Sequence, residues 1–280
     1  MQNGKDLQYW VAHLSRSELP VLKQTARDLL ALRADENKLT VQAITQVIAH
    51  DPMMTVKVLR YLQQHKHRAQ TTEVIQIEQA LLMLGIEPFY NNIAPQPVVE
   101  DMLKGHVAAL PPMLRVVHRS HRASRYAVEW AVQLRDLHYE EVRIAALLHD
   151  IAEILMWCFS PEDMLQIRNM QQQDKTLRSQ HAQQQVLGFS LIELQKELAL
   201  QWSLPKLLLD LMHDASAFQQ RERNVTLAIN LARHSANGWD DAALPDDYRD
   251  IGELLHIPAV EVMMTVGADA GIVCDPKKPH

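Results

Sequence analysis

The sequence predicts an almost entirely helical protein, and three observations carry that prediction. Glycine is scarce, with 8 in 280 residues. Alternating β-branched runs of the kind that build half-buried strands are scarce as well. In their place, apolar residues recur at helical spacing, bounded by capping residues and proline. Hydrophobic residues make up 47%, which is enough for a packed core and excludes a disordered chain.

The elements can be justified in order. A short helix is expected over residues 7–14, and Leu19-Pro20 opens a second through Leu22, Ala26, Leu29 and Leu32. Thr40 is placed to cap a helix carrying Val41, Ile44, Val47 and Ile48. Asp51-Pro52 reads as an N-cap followed by proline at the first helical position. The polar run 63–72 is expected as a loop, with a small basic patch at Lys66, His67 and Arg68. Periodicity predicts a helix over 73–84 that stops at Gly85. Residues 88–112 hold five prolines and are expected to form mostly a connector, with little regular structure until about Met102.

Helical periodicity returns over 113–137, then over 140–159 as one central helix. Ser160-Pro161 starts the next element, and Gly188-Phe189-Ser190 punctuates before a helix from Leu191 to about Trp202. Leu204-Pro205 opens a helix to about residue 213, and 225–236 forms another before the Asn237-Gly238 turn. Two last helices are expected over 248–255 and 258–266, followed by a polar end. Trp130 and Trp202 have apolar neighbours and are expected in the core.

Charge and cysteine content bound the function. A net charge of -6 supplies no general basic field, so nucleic acid and anionic membrane are not expected as partners. Cys158 and Cys274 stand in no paired motif and read as residues of a reducing compartment. No apolar run approaches transmembrane length and the first residues carry no signal core, so a cytoplasmic protein is expected. Nucleotide-binding glycine loops, GxSxG and HExxH are absent from the sequence.

The unusual feature lies within the most apolar helix. Ala145 to Met156 is apolar on nearly every side, yet His149 and Asp150 stand at its centre. A helix apolar all round belongs in a core, where an unpaired imidazole and carboxylate would be costly. A metal ion, a counter-charge or a hydrogen-bond network is expected to compensate them.

Several landmarks fall in a known order. Leu19-Pro20, Ile48-Ala49-His50-Asp51-Pro52, Val58-Leu59-Arg60 and Ala80-Leu81-Leu82-Met83-Leu84-Gly85 resemble the N-terminal half of the HDOD (HD-related output) domain. Leu147-Leu148-His149-Asp150-Ile151, Val186-Leu187-Gly188-Phe189, Trp202-Ser203-Leu204-Pro205 and His213 resemble its second half. The resemblance covers roughly residues 19–215. It implies an all-α, two-lobed protein, with an N-terminal helical bundle over 1–100, an HD-like helical core over 101–240 and a helical extension over 241–280. It also implies a role in bacterial signal transduction, where such domains act as outputs or adaptors.

A catalytic HD site joins an early histidine, the His-Asp pair and a late aspartate around a divalent metal, which lowers the pKa of a bound water. This sequence keeps His149 and Asp150 and departs elsewhere. Register along Ala123, Ala127 and Ala131 puts Arg119 at the early position, with His118 and His121 beside it. The late position follows Leu231-Ala232 and is Arg233, a cation where an anionic ligand is required. Glu153 replaces the lysine common in HD enzymes.

The leading expectation is therefore a non-catalytic signalling module that binds a protein partner. Its degenerate HD site would comprise His149, Asp150, Arg233 and Arg119, with Arg233 replacing the metal against a buried Asp150. No cofactor is expected, and a small anionic ligand would meet Arg119 and Arg122. The alternative is a metal-dependent phosphohydrolase acting on a nucleotide or cyclic dinucleotide. It would hold a divalent metal with His149, Asp150, His121 and His118.

Overall fold

A computed structural model describes residues 5–65, 74–93, 95–174, 176–212 and 220–268. Lys66, His67 and Arg68, together with His213 and Cys274, lie outside the described residues. The fold is all-α. Among the described residues the only extended pairing is an isolated parallel bridge between Val21 and Val98.

In chain order the first helices are α1 (Leu7–Arg16), α2 (Lys23–Ala34), α3 (Val41–Ile48), α4 (Pro52–Gln64), α5 (Ile77–Leu84), α6 (Ile86–Asn92) and α7 (Val99–Met102). Next come α8 (Leu110–Gln133), α9 (Tyr139–Leu148), α10 (Ile151–Phe159), α11 (Pro161–Gln173), α12 (Ser179–Leu187) and α13 (Leu191–Gln201). The chain continues through α14 (Lys206–Met212), α15 (Gln220–His234), α16 (Leu244–Leu255) and α17 (Ala259–Ala268).

Packing divides the chain into two units, each discontinuous in sequence. The first comprises Met1–Val117 and Asp150–Leu209, and the second His118–His149 and Asp210–His280. The chain therefore changes unit inside α8, between His149 and Asp150, and inside α14.

In the first unit, the capping signals act as the sequence predicts. Thr40 accepts from the Ala43 N–H at 3.1 Å. Asp51 accepts from the N–H groups of Met53 and Met54 at 2.9 and 3.0 Å. Beyond the sequence reading, Ser190 and Glu193 form a reciprocal capping box at the start of α13. The apolar face of α1, with Trp10, Val11 and Leu14, packs on α13, and α13 also packs on α10.

The connector expected over 88–112 is instead structured. Three of its five prolines fall where helices tolerate them: Pro88 is the third residue of α6, and Pro111 and Pro112 are the second and third of α8. First-turn N–H groups have no intrahelical partner, so a missing donor there loses nothing. Phe89, Tyr90, Ile93 and Val99 are buried, and two short 3-10 turns, Leu103–Gly105 and Val107–Ala109, fill the interval before α8. The Pro97 carbonyl accepts from the Val21 N–H at 2.8 Å, and Val99 N–H returns to the Val21 carbonyl at 3.0 Å.

The central helix expected over 140–159 is interrupted. α9 ends at Leu148, Asp150 adopts φ -101° and ψ 20°, and α10 restarts at Ile151. Gln195 of α13 supports the restart, its Oε1 accepting from the Ala152 N–H at 2.9 Å. The break was hidden because Ile144 to Leu148 and Ile151 to Ala152 are buried on both sides of it.

In the second unit α15 is the organiser, packing on both α9 and α16, while α16 packs on α17. The Asn224 amide of α15 donates to the Ala127 carbonyl of α8 at 3.0 Å. Arg221 donates to Asp136 at 2.7 Å across the turn after α8. Trp130 in this unit and Trp202 in the first are buried, as expected.

Candidate functional site

The most enclosed charged constellation among the described residues of the first unit is built from signature segments of the N-terminal half. Asp51 is fully buried at the start of α4, where the helix N-terminus favours negative charge. Besides its two capping bonds, it accepts from the Leu22 N–H at 2.8 Å. Burial pushes its carboxyl up, against these hydrogen bonds and one from Thr25.

Nearly two turns further, buried Lys57 donates to the carbonyls of Leu19 and Gln96 at 3.1 and 2.8 Å and pairs with Glu18 at 2.5 Å. Arg60 reaches the Ser17 carbonyl at 3.3 Å, closing the end of α1. Leu19-Pro20, Asp51-Pro52 and Arg60 thus lock α1, α2, α4 and the segment before α7 together. Their role is architectural.

The expected HD residues sit differently. His149 is the C-cap of α9 and Asp150 the N-cap of α10, and the Asp150 side chain makes no capping bond. Both are half-buried rather than buried. They belong to different units. Arg233 lies in the last turn of α15 and is exposed, while Leu231 and Ala232 before it are fully buried. Of the pair expected to be buried together, Asp150 is half-buried and Arg233 exposed, each in its own unit.

On α8, His118 is exposed, Arg119 and His121 are half-buried, and Arg122 is engaged within its own unit. The Arg122 guanidinium donates to the Ser235 hydroxyl at 2.6 Å and carbonyl at 3.2 Å, and lies 5.8 Å from the centre of the buried Trp239 ring. It fastens the end of α15 to α8. Nearby, His234 Nδ1 and Asp247 lie 2.6 Å apart, and burial of Asp247 raises its pKa against the pull of the histidine. Sequence reasoning did not find this pair, because its members lie on separate helices. Among the described residues no group of three or more His, Cys, Asp or Glu side chains is gathered to hold a metal ion.

This arrangement defines an all-helical protein whose signature residues build the fold, with a His-Asp pair at a helix break. Residues 19–218 match the family model of the HDOD domain, and the chain belongs to that family. Solved structures agree in fold. The MmoQ response regulator from Methylococcus capsulatus str. Bath has a TM-score of 0.62 at 18% identity, covering 86% of this chain and 99% of that one. A virulence factor from Campylobacter jejuni subsp. jejuni has a TM-score of 0.64 at 18% identity, covering 98% and 95%. No curated protein matches significantly. No helix among the described residues is long and apolar enough to cross a membrane.

Proposed function

We propose that this chain is a non-catalytic signalling module of the bacterial cytoplasm that recognises a protein partner and carries a degenerate HD site. The observation that carries the reading is Arg233. An exposed cation follows Leu231-Ala232, where HD enzymes place the last metal-binding carboxylate. Arg119 takes the early histidine position, which leaves His149 and Asp150 as the only retained members. Two ligands are too few for the closed three- or four-ligand sets that hold catalytic metals. Membership of a signal-transduction family agrees with this reading.

Elemental analysis and phosphatase assay test it together. Purified without added metal, the protein should carry well under one equivalent of iron, manganese, nickel or zinc. It should hydrolyse neither bis-p-nitrophenyl phosphate nor a cyclic dinucleotide. Stoichiometric metal that disappears in His149→Ala would establish the phosphohydrolase reading instead. Arg119 is the remaining candidate contact for a small anion at these positions.

A further inference from the structure

A second site, independent of the HD residues, lies wholly within the first unit. Val11, Ala12, Ser15 and Arg16 of α1, Gln64 of α4 and Trp202 at the end of α13 line a cavity of about 250 Å³. Gln8 and Gln201 complete its rim. Gln8, Ala12 and Ser15 follow one face of α1, so the wall is a helix surface rather than a loop.

Two polar atoms here have no hydrogen-bond partner although they are buried: the Trp202 indole Nε1 and the Ser15 hydroxyl. Trp202 is only 3% exposed, and an indole N–H can do nothing but donate. Two such groups beside one cavity are an unusual pairing, because native proteins rarely leave buried donors unsatisfied. Arg16 supplies the only formal charge of the lining, and it is positive. Arg16, Gln64 and Gln201 are exposed, so the cavity is reached past flexible polar side chains.

We infer that this cavity is a binding site for a small organic carboxylate. The ligand's oxygens accept from Trp202 Nε1, the Ser15 hydroxyl and the Arg16 guanidinium, and its short apolar body lies on Val11, Ala12 and the indole face. A single arginine matches a monoanion, whereas phosphate normally gathers more positive charge. The volume falls below the roughly 300–1,000 Å³ of sites for drug-sized ligands, so the ligand is small.

The probe is the indole ¹H–¹⁵N resonance of Trp202, one of five tryptophans, assigned by Trp202→Phe. Sodium benzoate or butyrate should shift this resonance saturably and leave the other four in place. Benzamide, equal in shape to benzoate but neutral, should not. Arg16→Gln, an exposed change that leaves folding intact, should weaken binding about tenfold or more, the usual scale for a charge-assisted hydrogen bond. An acetylated dipeptide compared with its amide separates a chain terminus from a free acid, and either source satisfies the proposal. It is overturned if neither benzoate nor butyrate shifts the signal, if benzamide acts equally, if only inorganic phosphate acts, or if Arg16→Gln leaves the affinity unchanged.

Discussion

At the scale of single residues, Asp51 and Asp136 show two ways a carboxylate holds helices together. Asp51 satisfies three backbone N–H groups from two segments. Asp51→Ala should cost about 2–4 kcal/mol, combining a lost N-cap with an orphaned Leu22 N–H. Asp51→Asn keeps one acceptor oxygen and should cost less, and urea titration of both variants checks the order. Asp136 is the pH-sensitive case. Partial burial raises its pKa, but the Arg221 hydrogen bond and charge, the His138 N–H and the His138 charge outweigh this and hold it below the usual value. A depressed carboxylate stabilises the fold above its unfolded pKa, near 4, and that stabilisation is lost as pH falls through the lower folded value. The difference between the parent and Asp136→Asn should be about 1 kcal/mol at neutral pH, since Arg221 is partly exposed, and should vanish once the pH falls below the depressed folded value.

At the scale of elements, two glycines mark places where backbone geometry decides. Gly85 closes α5 and opens α6 at φ 85° and ψ 154°, a region essentially restricted to glycine. A Cβ there would meet only ordinary contacts, so Gly85→Ala should cost about 1–3 kcal/mol through strain alone. Gly252 in α16 fails for another reason: a Cβ would lie 2.7 Å from the Ile257 carbonyl oxygen. Gly252→Ala should therefore loosen the α16–α17 pair, which hydrogen exchange across those helices would show as lost protection. The same scale explains what was legible beforehand. Thr40 and Asp51-Pro52 announce helix starts through local chemistry, and each holds. The break at His149-Asp150 was not legible, because the burial pattern runs through it and its support comes from Gln195 on another helix. Proline misled over 88–97 because its meaning depends on where in a turn it falls. Arg233 was legible as a cation after Leu231-Ala232, whereas the exposure of its side chain is a property of the packed unit.

At the scale of the whole molecule, each unit is assembled from separated stretches of chain, and local order does not imply independent folding. A fragment spanning residues 1–117 lacks the α10 to α13 surface that completes its unit. It should show no cooperative urea transition, and a sharp transition with native-like near-ultraviolet dichroism would contradict this. The packing of α1 on α13 also carries a consequence in time. During synthesis α1 emerges about 175 residues before its partner helix begins. At roughly 5–20 residues per second, that interval lasts about 10–35 s. For that time Trp10, Val11 and Leu14 lack their main native surface, α13, which makes α1 a stretch where chaperone capture or premature aggregation would begin.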